Sequence, residues 1–155
     1  MTSGPGETNR PRSSPIPLVC SPPRLPADSR AKRLADAVLP TGAGQWVFFA
    51  GVAAAVSVAP YLPLRPGLAL DLVATVAAAA WCVVNFWRCR EAHCVVSGFG
   101  WTGLAVLELV ELALGRSVIS GDEGIAFVAI LVAALAFEAA WRVRHGTNAI
   151  VIRGR

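Results

Sequence analysis

The chain has 155 residues, of which 55% are hydrophobic and 15% charged, and a formal net charge of +4. With a positive mean hydropathy, that balance excludes an ordinary soluble domain and points to a small polytopic membrane protein. The excess Lys and Arg cluster in the tails and one connection, as membrane topology places them. The lipid bilayer is therefore an expected partner and nucleic acid is not.

Residues 1–45 are polar and proline-rich. The composition of residues 1–28 predicts a disordered tail, because it buries too little apolar surface to offset the entropy of ordering. No signal-peptide core follows Arg10 and Arg12, and Cys20 lacks the apolar run of a lipoprotein signal. Residues 29–39, SRAKRLADAVL, predict a short amphipathic helix capped by Ser29, with Leu34, Val38 and Leu39 towards lipid headgroups. Pro40 and the TGAG after it end that helix.

Residues 46–142 hold four apolar runs, predicted as spans over about 45–62, 67–88, 94–114 and 122–141. The first lies between Trp46 and Tyr61 and is closed by Pro60, Pro63 and Pro66, and the second ends on Trp87 and Arg88 as interfacial anchors. The third opens with GFGWTG, where Gly98 and Thr102 have small-xxx-small spacing and Gly100 and Gly103 lie nearby, a pattern for close helix packing. Ser120 and Glu123 have capping-box spacing ahead of the fourth. Residues 143–155 form a short basic tail whose AIVI has strand character. The expected fold is all-α: a four-transmembrane-helix bundle behind a disordered N-terminal tail.

Six Lys and Arg residues precede the first span, two lie between the second and third, and four, from Arg142 onward, follow the fourth. The other two connections hold Arg65 and Arg116, one each. This asymmetry predicts a multi-pass protein of the cell (inner) membrane with both termini cytoplasmic. The connection RCREAHC (88–94) is then cytoplasmic as well, where thiols are kept reduced, so a structural Cys89–Cys94 disulfide is not expected.

Polar residues inside a span usually face the bundle interior or water. Asp71, Glu108 and Glu111 lie at comparable depths near the outer ends of their spans. Two readings stand: a cation or proton site, or interfacial charges paired with Arg65 and Arg116. Glu138 precedes Arg142 by four residues, the favourable order for a helical ion pair, yet its depth is also close to that of Cys89, His93 and Cys94.

At 3.6 residues per turn, Cys82, Asn85, Cys89 and His93 share one face of a continued helix, and a reversal near Glu91 and Ala92 would bring Cys94 back towards Cys89. Two thiolates and an imidazole suit a soft ion such as Cu(I), Zn(II) or Hg(II). The metal ligands expected are Cys89, His93, Cys94 and Cys82, with Asn85 and Glu138 as polar intramembrane neighbours. The alternative is that the cysteines are small buried apolar residues and the arginines mark the cytoplasmic side.

The residues Asn85, Arg88, Cys89, His93 and Cys94 form an Asn-x-x-Arg-Cys-x-x-x-His-Cys segment. In this the chain resembles small, largely uncharacterised four-span bacterial and archaeal membrane proteins, and the resemblance implies a link with heavy-metal handling, mercury included. Mercury transporters carry closely spaced cysteines in their first span, which here has none. The CxxC pair of four-helix thiol oxidoreductases is also missing, as are a phosphate-binding loop, HExxH and a Ser/His/Asp set, so no catalysis is expected. Two functions remain: a soft-metal binding or transport protein, and a structural or assembly subunit that contacts other membrane proteins or a second copy of itself.

Overall fold

The computed structural model describes residues 43–150 and, before them, Arg30, Arg33, Leu34, Ala37 and Leu39. Four α-helices follow in order: α1 (Ala43–Val58), continued by a 3₁₀ turn over Ala59–Tyr61, α2 (Leu64–Cys89), α3 (Ala92–Leu114) and α4 (Glu123–His145). All four, α1 taken with its 3₁₀ turn, are long and apolar enough to cross a membrane. The chain is thus an all-α polytopic bundle, and no strand occurs among the described residues. The predicted disordered tail, 1–28, lies outside the described residues. Of the predicted amphipathic helix at 29–39, Arg30, Arg33, Leu34 and Ala37 are helical.

The breaks between helices follow local chemistry, with some differences from expectation. Pro66 does not close the first span; it sits in the first turn of α2, where a missing N–H costs nothing because that donor would have no intrahelical partner. Gly67 permits the tight corner between α1 and α2, since a Cβ there would stand 2.7 Å from the carbonyl oxygen of Ala59. The short α2–α3 connection turns on Arg90, which is left-handed at φ 56 and donates its N–H to the Phe86 carbonyl. Gly115 and Gly146 end α3 and α4 in the same left-handed conformation, which glycine adopts without strain. The capping box expected at Ser120 and Glu123 does not form: the N-cap of α4 is Asp122, and Glu123 accepts instead from the Ser117 hydroxyl at 2.7 Å.

Each helix packs chiefly on its neighbour in sequence, and α2 against α3 is the most extensive contact. Phe48 of α1 stacks on Trp81 of α2 with ring centroids 4.5 Å apart, and Trp101 of α3 stacks on Phe127 of α4 at 4.7 Å. Trp101 Nε1 donates to the Phe127 carbonyl, so its one polar atom is satisfied inside the bundle. Exposed Val, Leu, Ile and Phe side chains cover the outer faces, while Trp46, Tyr61 and Trp87 stand exposed near helix ends. That is the pattern of a lipid-facing surface with interfacial aromatics.

The core between α2 and α3 is unusual in being polar at both ends. Asp71, Thr75, Ala78, Cys82, Asn85 and Cys89 form one buried face of α2. Cys94, Ser97, Trp101, Leu104, Glu108 and Glu111 form the matching face of α3. The seam is therefore thiol, amide and imidazole near the α2–α3 turn, apolar around Ala78, Trp101 and Leu104, and carboxylate at the far end. The C-terminal tail closes over the turn: Ala92 N–H donates to the Asn148 carbonyl at 2.9 Å and Ile150 N–H to the Arg90 carbonyl at 2.7 Å. The strand character of AIVI is realised as a single antiparallel bridge, Ala149 to Glu91. Residues 151–155 lie outside the described set.

Candidate metal centre

The α2–α3 turn brings Glu91, His93 and Cys94 together because the chain reverses at Arg90 rather than continuing as a helix. His93 thus opens α3 instead of extending the α2 stripe, and Cys94 faces the same interior. All three are buried, and a carboxylate oxygen, an imidazole nitrogen and the thiol sulfur lie within 4.8 Å of one another. His93 Nε2 is 3.3 Å from Cys94 Sγ and 3.7 Å from Glu91 Oε2. A tetrahedral ion with bonds of about 2.0–2.3 Å holds its ligand atoms about 3.3–3.6 Å apart. Both separations from His93 Nε2 already stand near that spacing.

Each donor is positioned by a second residue. His93 Nδ1 is hydrogen-bonded to the carboxylate of Glu138 on α4. With the proton on Nδ1, the ring presents its Nε2 lone pair to Cys94 and Glu91, the arrangement in which a carboxylate orients a metal-binding histidine. Asn148 Nδ2 donates to Glu91 Oε1 at 3.3 Å, which leaves Oε2 towards His93. Asn85 Nδ2 donates to Cys94 Sγ at 3.4 Å, and the Ser97 hydroxyl lies 3.2 Å from Cys82 Sγ and 2.8 Å from the His93 carbonyl oxygen. A cavity of about 230 Å³ between α1 and α4 reaches Cys82, Asn85, His93 and Ser97 from the apolar side chains of Trp46, Phe49 and Leu131.

The expected ligands fare differently. His93 and Cys94 meet, with Cys82 and Asn85 beneath them. Cys82 and Cys94 are free thiols, which excludes a Cys89–Cys94 disulfide. Cys89, whose sulfur lies 3.5 Å from Asn85 Oδ1, is disulfide-bonded and outside the converging group. Glu138 turns to His93. Glu91 was missed as a donor, although it sits inside RCREAHC. A glutamate in a short connector reads as a solvated charge, and the tail that buries it lies 57 residues further on.

Asp71, Glu108 and Glu111 gather at the opposite end of the seam, all buried, with Glu123 of α4. They are not joined to Arg65 or Arg116 by any ion pair among the described residues, so the pairing expected for interfacial charges does not occur. Comparison with known proteins finds no matching family model, no similar curated protein and no similar solved structure.

Proposed function

We propose that this membrane protein binds a thiophilic metal ion through Glu91, His93 and Cys94, and that Zn(II) is the best-matched ion. The convergence of a buried thiol, an imidazole Nε2 and a carboxylate oxygen carries this reading, with Glu138 fixing the ring. A mixed sulfur, nitrogen and oxygen set suits borderline Zn(II) better than Cu(I), which prefers sulfur alone. The thiolate and the carboxylate also neutralise a dication, which matters in a low-dielectric interior. Cys82, beneath Cys94, is the candidate for a fourth ligand, and the cavity between α1 and α4 supplies a route of access.

The distribution of Lys and Arg supports an inner-membrane protein with cytoplasmic termini and the centre on that side. The ion is bound or handed on rather than used in a reaction. The second reading, an assembly subunit, is favoured by the small-residue face of α3, where Gly103 has open space around it. Zinc titration of the detergent-purified chain separates the two. Wild type takes up one ion per chain, and a His93→Ala, Cys94→Ser double variant with unchanged helicity takes up none; equal uptake removes the metal reading and leaves the assembly subunit.

A further inference from the structure

The carboxylate end of the seam has no part in the centre described above. Glu111 is committed to the fold: its Oε1 accepts the N–H of Ile119 at 3.1 Å, the N–H of Val118 and the Ser117 hydroxyl, and so ties the α3–α4 turn. Glu108 accepts from the Thr75 hydroxyl at 3.0 Å through Oε1, while its buried Oε2 has no partner. Asp71 makes no hydrogen bond or ion pair among the described residues. It is 6% exposed, and its buried Oδ1 is unpartnered. Asp71 lines a cavity of about 170 Å³ with Ser117 and Glu123, walled by Leu64 and Leu68 of α2 and the 3₁₀ turn.

Two carboxylates on one cavity, Asp71 of α2 and Glu123 of α4, with buried Glu108 of α3 close enough to act on both and no cation paired to them among the described residues, are costly in a low-dielectric site unless something neutralises them. We propose that this cavity is a second cation site, for a hydrated divalent ion of the Mg²⁺ kind, bound by Asp71 and Glu123 with Glu108 behind them. The donors are all oxygen, which selects hard cations and sets the site apart from the Cys/His centre. They are not drawn tightly enough to strip an ion of its water, since Glu91, His93 and Cys94 are the one group of such side chains converging within 4.8 Å among the described residues. Mg²⁺ keeps several waters and needs only one or two carboxylates, and the cavity has room for several waters at about 30 Å³ each.

Mn²⁺ is a usable probe because its electron paramagnetic resonance signal is lost on binding. Titration of the purified full chain is expected to give one Mn²⁺ site that Mg²⁺ displaces and K⁺ does not. Asp71→Asn and Glu123→Gln, made separately, are each expected to weaken it tenfold or more, with Cys94→Ser unchanged. No Mn²⁺ binding by wild type at millimolar concentration overturns the proposal, as does unaltered affinity in a folded Asp71→Asn or Glu123→Gln variant. Binding lost in Cys94→Ser instead places the ion at the other end and also overturns it. Should one carboxylate variant fail to fold, the other variant and the wild-type displacement still decide.

Discussion

Glu138 illustrates how the fold supplies a residue with a partner far from it in sequence. The i, i+4 relation to Arg142 is worth only a few tenths of a kcal/mol on a helix surface, whereas the buried His93 ring offers a partner inside the bundle. Glu138→Gln keeps the shape of the side chain but removes the anion that orients the histidine. It is expected to weaken zinc binding by about 10–100-fold, read by competition with a chromophoric chelator, while leaving the helical content unchanged. Cys82 and Asn85 share the face of α2 that periodicity predicts, but His93 joins them with Cys94 through the reversal at Arg90 and not on a continued helix. Glu91 was not legible, because its burial depends on Asn148 and Ala149, a long-range contact with no local signature.

Among elements, the glycines of α3 separate two roles that the GFGWTG pattern could not. A Cβ on Gly98 would make ordinary contact with Val83 and Cys82 at 3.7–3.9 Å, whereas one on Gly100 would stand 2.5 Å from Ile130 Cγ2 of α4. Nothing lies within 4 Å of a Cβ at Gly103. Gly100→Ala is therefore expected to destabilise the bundle by about 1–3 kcal/mol through overpacking. Gly103→Ala, with no steric cost, is expected to gain up to about 1 kcal/mol from helix propensity. Thermal unfolding in detergent checks the pair, and opposite signs are the expected outcome. The four spans themselves were readable because each is a long apolar run. Their ends were less so: Pro66 is tolerated inside a first turn, and Ser120 at φ 62 is turned away from the cap its spacing suggested.

For the whole molecule, the polar seam between α2 and α3 organises both ends of the bundle around an apolar middle of Ala78, Trp101 and Leu104. Which end faces the cytoplasm decides what each can meet. In the proposed topology, argued from the Lys and Arg distribution, the Cys/His end lies inside. A single cysteine introduced at exposed Arg144, in a chain whose own cysteines are replaced by serine, is expected to resist a membrane-impermeant maleimide in intact cells and to react after lysis. A cysteine at exposed Ser120 is expected to react in both, and the reverse pattern would invert the topology. The all-α architecture was evident from composition and hydropathy alone. The pairing of two carboxylates with one histidine was not, since it joins α3, α4 and the α2–α3 turn.

X-ray absorption at the zinc edge of the zinc-loaded chain reads the ligand atoms themselves. The expected shell holds sulfur at about 2.3 Å together with nitrogen and oxygen at about 2.0–2.2 Å, and the sulfur contribution falls in Cys94→Ser. A first shell of nitrogen and oxygen alone in wild type, unchanged by that substitution, would contradict a centre built on Glu91, His93 and Cys94.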